Sequence, residues 1–270
     1  MRGMFFGALV VCGLLVHAPA RAADTKPVSS GLAKYSVGAK HSGYVLASPA
    51  TRAMEDDDFQ NPGMLWVETG KQLWSKADGA NGKSCHSCHG DAAKSMKGIA
   101  TTYPKFNGRL GKVIDMEQRI NACRVNAMQA KPYPWESHEL LALTAYIKNL
   151  SRGMPMNVSV SGPAAPSFEK GKALFLAPHG PRGLSCASCH GSVEASAKPA
   201  ATQNQGQTNG FPTYSLARQT LVSVQQQLQA CETHLGVPPH PLGSSDDIDL
   251  EFYLAWRGNG LPIETPAVRK

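Results

Sequence analysis

Apolar positions recur with helical spacing in two stretches that lie 107 residues apart. Leu140, Leu143, Ile147 and Leu150 form a stripe at intervals of three and four, with Ser137 as a cap before it and Gly153 after it. Leu250, Tyr253 and Leu254 form the counterpart, with Asp246 and Asp247 near the start and Gly258 at the end. Upstream, Gly70 and Trp74, and likewise Gly171 and Phe175, stand four apart and share a helical face. The pattern predicts paired helices, the glycine letting the helix that bears Tyr146 or Tyr253 come close. At the N-terminus the pattern differs. Arg2, an apolar run from Met4 to Val16, and Ala20-Arg21-Ala22 have the form of a cleaved export signal over residues 1–22. The run falls short of the about 20 residues a membrane span needs, and no later stretch is apolar enough to span.

The repeat extends beyond the helices. Cys85, Cys88 and His89 return as Cys186, Cys189 and His190, each set 15 residues after its glycine. Tyr103-Pro104 and Phe211-Pro212 are 108 apart, as are Cys123 and Cys231, while Met154-Pro155 and Leu261-Pro262 are 107 apart. The offset changes within Ser192 to Gly210, an Ala/Gln/Ser/Gly-rich insertion in the second copy. We therefore expect an all-α protein of two tandem domains, 61–157 and 158–270, with a linker from Asn157 to Pro166. An N-terminal arm, 23–60, has no counterpart, and its acidic run Glu55 to Asp58 reads as a solvated segment.

Composition narrows the function. Loss of residues 1–22 removes Arg2 and Arg21 but no acid, so Lys+Arg falls from 27 to 25 against 20 Asp+Glu and the net charge from +7 to +5. No basic block is interleaved with aromatics, which argues against nucleic acid as a partner. Cys12 leaves with the signal. Of the six cysteines that remain, four lie in the two Cys-x-x-Cys-His motifs and one follows each motif.

Cys85-His86-Ser87-Cys88-His89 and Cys186-Ala187-Ser188-Cys189-His190 carry the groups of a c-type haem site. Two thiols at this spacing reach both vinyl groups while the adjacent imidazole reaches iron from one side. Two such motifs behind an export signal favour two covalently bound haem c groups over a redox dithiol or a zinc site. Each copy then reads as a cytochrome c-like domain with His89 or His190 as proximal ligand. His86 has no equivalent and reads as a surface residue. For the opposite iron face, Met154 is matched by Leu261, whereas Cys123 and Cys231 repeat, so the thiolates are the expected ligands. A Cys123–Cys231 disulfide and a Met ligand in the first copy are the competing readings.

Ile120-Asn121-Ala122-Cys123-Arg124, the run Glu139 to Tyr146, Ser151-Arg152-Gly153-Met154-Pro155, Phe211-Pro212-Thr213-Tyr214 and the ending Tyr253 to Arg269 together resemble one family. It is the SoxA family, the dihaem subunits of SoxAX complexes, also called L-cysteine S-thiosulfotransferase. The resemblance implies His/Cys ligation at both haems and Cys231 as the active-site ligand, often a persulfide. It also implies thiosulfate as substrate, coupled to a cysteine of a SoxYZ-like carrier in the periplasm, with two electrons leaving through haem. A SoxX-like monohaem subunit and a small acceptor cytochrome are the further partners. The family pattern places an arginine four residues before the active cysteine; here that position is Gln227, with Gln226 beside it and Ser215 after the aromatic-Pro-x-Tyr element. A guanidinium fork suits a sulfonate anion, so slow thiosulfate turnover is expected, with Arg218, Lys198 and Arg182 as candidate substitutes. A pure electron carrier and a dihaem thiosulfate dehydrogenase are the rival functions.

Overall fold

The fold is described from a computed structural model covering Met1, residues 30–191 and residues 204–270. The expected signal, 1–22, apart from Met1, and Lys198 lie outside the described residues. The arm begins with a 3-10 turn, Ser30–Tyr35, and a minimal hairpin of β1 (Ser36–Val37) and β2 (Lys40–His41). Helices α1 (Gly43–Leu46) and α2 (Pro49–Asp56) follow. Helix α2 starts where local chemistry dictates: Pro49 occupies the first turn, and the Ser48 hydroxyl accepts the Thr51 N–H.

The two copies then run in the same order. The first comprises α3 (Met64–Ser75), the motif helix α4 (Cys85–His89), α5 (Ala92–Ser95), a hairpin of β3 (Lys105–Asn107) and β4 (Lys112–Ile114), α6 (Met116–Met128) and α7 (His138–Asn149). The second comprises α8 (Ala165–Leu176), the motif helix α9 (Cys186–His190), a hairpin of β5 (Thr213–Ser215) and β6 (Thr220–Val222), α10 (Val224–Leu235) and α11 (Ser245–Arg257). Each aromatic-Pro pair leads into a hairpin, and each single cysteine rides on the helix after it. A last strand, β7 (Ala267–Arg269), joins β5 in parallel and completes a three-stranded sheet in the order β6-β5-β7.

The dominant packing is α3 on α7 and α8 on α11. Glycine is required at both crossings. A Cβ on Gly70 would stand 2.7 Å from Tyr146 Cβ, and one on Gly171 3.0 Å from Tyr253 Cβ; each would also strike a backbone carbonyl, of Ala142 and Asp249 respectively. The expected stripe is buried: Leu140, Leu143 and Ile147 enter a core shared with Trp74, Ile248, Phe252 and Ile263, so one core joins both copies. Leu250, Tyr253 and Leu254 pack with Phe175, Val224 and Leu228 in a second core. Met154-Pro155 and Leu261-Pro262 pair with each other, through Met156 N–H to Leu261 O and Ile263 N–H to Met154 O, both 2.9 Å.

Three readings are corrected. Helix α7 ends at Asn149, before Gly153, because Leu150 caps it. The linker runs only to about Ser161, since Pro166 sits in the first turn of α8, where its missing N–H costs nothing. The acidic run is not simply solvated. Glu55 is 2% exposed and ion-paired with Arg269, Asp56 accepts the Tyr35 and Tyr44 hydroxyls, and Asp58 pairs with Arg152. Arg269 also holds Glu264 at 2.5 Å, which Ser42 and Asn209 bind as well. These contacts clamp the arm to the C-terminal strand.

Candidate functional site

The motif helices form because serine caps them. In each, the residue before the first cysteine and the residue before the second make a reciprocal box: Ser84 with Ser87, and Ser185 with Ser188, at 3.0–3.2 Å. One helical turn then sets the two thiols three apart and the histidine four after the first, all on one side. The sequence reading missed this box, although the Ser-x-x-Ser spacing was there to find.

Among the described residues no disulfide is formed, so Cys123 and Cys231 are not bonded to each other. Each single cysteine instead sits by its own motif. Burial first, then the nearby Cys123, pushes the Cys85 thiol up. Burial and then Cys231 push Cys186 up to about 11. In the first half the Trp74 indole N–H donates to the Gly90 carbonyl at 3.0 Å, and its ring lies 5.7 Å from that of His89. Arg124, next to Cys123, bonds Asp78 at 2.7 Å and so ties α6 to the loop before the motif. In the second half Phe175 has no donor, and Arg257 replaces it. Its guanidinium lies over the Phe175 ring at 4.5 Å and donates to the His190 and Gly191 carbonyls at 2.7 and 3.0 Å.

A cavity of about 780 Å³ opens between α8, α9, α10 and α11. Cys186, Cys189, His190 and Cys231 all line it, against apolar walls that include Phe175 and Leu228. This is the size of a cofactor pocket, roughly 300–1,000 Å³. The donor set fits a covalent haem. His190 Nδ1 lies 2.6 Å from the Asn204 carbonyl oxygen, which only accepts, so Nδ1 carries the proton and Nε2 is the nitrogen left to bind iron.

Gln227 shares the cavity and donates its amide N–H to Cys231 Sγ at 3.6 Å. Burial pushes the Cys231 thiol up; Gln227 and the positive charge of Arg218 oppose this, while Glu232 adds to it. Of the candidate cations, Arg218 reaches Gln226 Oε1 at 3.4 Å and acts electrostatically at the sulfur, whereas Arg182 is turned to the His234 carbonyl at 2.6 Å. Arg269 and Lys270 also line the cavity, which the sequence did not reveal, but Arg269 is committed to Glu55 and Glu264.

A family model for the SoxA/TsdA cytochrome c domain matches residues 69–156 and 170–263. The L-cysteine S-thiosulfotransferase subunit SoxA of Rhodovulum sulfidophilum is 37% identical over 271 residues, 99% of this chain and 94% of that protein. That of Pseudaminobacter salicylatoxidans is 38% identical over 97% of this chain and 89% of its own. The crystal structure of SoxXA from P. pantotrophus is similar with a TM-score of 0.81 at 38% identity, covering 86% of this chain and 87% of that one.

Proposed function

The chain belongs to the SoxA family of cytochromes c, and from that premise we propose that it is the sulfur-transferring subunit of an L-cysteine S-thiosulfotransferase. It joins thiosulfate, or a related sulfur anion, to a cysteine of a SoxYZ-like carrier. Two covalent haems are held, one in each domain (61–157 and 158–270), by Cys85 and Cys88 with His89, and by Cys186 and Cys189 with His190. Cys123 and Cys231 would be the further protein ligands to the two irons. Residues 1–22 direct export, so the work is periplasmic, beside a SoxX-like monohaem subunit and a small acceptor cytochrome. The observation that carries the reading is His190 and Cys231 lining one apolar cavity, with Gln227 bonded to the sulfur.

Haem, when bound, would supply the iron that these residues hold and the route by which electrons leave. The chain supplies the rest. The Asn204 carbonyl fixes the His190 tautomer. Apolar walls exclude water around Cys231, and Gln227 steadies negative charge on its sulfur. Joining the outer sulfur of thiosulfate to the Cys231 thiolate makes one S–S bond and releases two electrons. A carrier thiolate then attacks that outer sulfur and Cys231 leaves as thiolate, with no further redox change.

The test is a steady-state assay with thiosulfate and a thiol acceptor. Cys231→Met abolishes transfer while both haems stay attached. Gln227→Arg raises turnover, since a charge-assisted hydrogen bond is worth about 1.5–3 kcal/mol, roughly tenfold to a hundredfold. Full activity in Cys231→Met would leave a pure electron carrier, the reading that the glutamine at position 227 favours.

A further inference from the structure

The two copies differ sharply at one equivalent place, the corner between the cysteine helix and the helix that follows. In the first copy the residue after the cysteine is Arg124, whose guanidinium lies 3.4 Å from the centre of the Tyr133 ring, and α7 brings in Leu140, fully buried. The repeat maps these positions onto Glu232, His240 and Asp247. A cation, a ring and a leucine have become a carboxylate, an imidazole and a second carboxylate. One ligand atom from each lies within 4.8 Å of the others.

The elements make this convergence firm. Glu232 stands in the last turn of α10, Asp247 in the first turn of α11, and His240 in the connection between them. Glu232 Oε2 accepts the His240 backbone N–H at 2.9 Å, and Glu232 Oε1 contacts His240 Nδ1. Asp246 Oδ2 lies 3.6 Å from His240 Nε2, although Lys170 already pairs with Asp246 at 2.5 Å. Asp247 is the decisive residue. It is 0% exposed, and neither carboxylate oxygen has a hydrogen-bond partner among the described residues. A buried carboxylate without a donor is costly unless a cation meets it. Here Asp247 faces the one imidazole and another carboxylate, and no side-chain donor among the described residues reaches it.

We propose that Glu232, His240 and Asp247 form a binding site for a divalent cation of the zinc class, separate from the haem sites. One imidazole nitrogen with two carboxylates is a donor set that zinc takes readily, leaving a position for water. His240 is 32% exposed at its side chain and Glu232 12%, so the ion has a way in while Asp247 stays interior. The ion neutralises Asp247 and staples α10 to α11 one residue beyond Cys231. The first copy needs no ion there, because Arg124, Tyr133 and Leu140 close the same corner with their own charge balance.

The experiment uses tag-free, haem-loaded protein stripped with a chelator and titrated calorimetrically with Zn²⁺ alone. One equivalent should bind. His240→Gln and Asp247→Asn, both close in shape to the native side chains, should each weaken binding at least tenfold with unchanged haem absorption. The zinc X-ray absorption spectrum of wild type should show a single imidazole among oxygen donors. As a fold-independent check, Zn²⁺ should raise the thermal midpoint of wild type but not of either variant. Absence of one-to-one binding, equal affinity in both variants, or a zinc spectrum lacking imidazole would overturn the proposal and leave an ordinary His240–Glu232 pair beside a protonated Asp247.

Discussion

Gly171→Ala is expected to destabilise the haem-loaded protein by about 1–2 kcal/mol. A Cβ there would stand 2.6 Å from the Asp249 carbonyl carbon and 3.0 Å from Tyr253 Cβ. The nearest atom is the Asp249 carbonyl oxygen at 1.9 Å, and a carbon meets such an oxygen no closer than about 3.3 Å, so α8 and α11 must part by roughly 1.4 Å. Overfilling a packed contact typically costs about 1–3 kcal/mol, and a clash against backbone belongs to the upper part of that range, about 2–3 kcal/mol. Parting the helices also loosens the Phe168–Tyr253 and Phe175–Tyr253 ring contacts at 5.5 and 5.2 Å. The better helix propensity of alanine returns about 1 kcal/mol, which leaves the net loss stated. Guanidinium unfolding followed by far-UV circular dichroism and haem absorption measures it, as a lower midpoint at unchanged slope. Gly108→Ala is the control, because a Cβ there meets nothing within 4 Å. If Gly171→Ala matched or exceeded wild type in stability, the crossing would not be limited by its glycine.

Three further outcomes follow from the buried charges and the ligand assignment. Burial, then the charge of Glu117, raises Glu251 from 4.5 to about 8. Its folded form thus keeps a proton that the unfolded chain has lost, so its contribution is complete below pH 4.5 and disappears as pH rises through about 8. Unfolding midpoints should fall between pH 5 and pH 8, and Glu251→Gln should fall less; an equal fall in both would refute this. Arg269→Met leaves Glu55 and Glu264, 2% and 3% exposed, without their cation, and should cost about 3–5 kcal/mol in denaturant titration at pH 8; a loss under 1 kcal/mol would contradict the clamp. Met154→Ala should leave the absorption of both ferric haems unchanged, whereas loss of a low-spin band would make Met154 a ligand.

What was legible in the sequence was what occurs twice. The motif cysteines, the glycine–tyrosine crossings and the single cysteines were each found from their spacing, and both crossings close as expected in the helical frame. Pairings that occur once were not legible. Glu55 looked like surface acid because its partner, Arg269, lies 214 residues away, and no local periodicity encodes that. Helix α11 was legible in its ends and its stripe, but not in the depth of its burial. It is buried from Asp247 to Ala255 on every side, between both cores, so Asp249 and Glu251 interrupt the apolar spacing that reveals a one-sided helix. Cavity cations such as Lys270 come from chain segments whose approach only the tertiary fold decides.

The clamp between the arm and β7 also sets a timetable. On the export proposed above, the chain enters the folding compartment amino end first, so residue 55 arrives before residue 269. Throughout that interval Glu55 and Ser42 have no Glu264 or Arg269 to meet, and β5 has no third strand. The first motif emerges during this wait, so its cysteines are accessible to attachment machinery while the chain is still open. A product cut short before residue 264 lacks both Glu264 and Arg269, so nothing remains to clamp its arm.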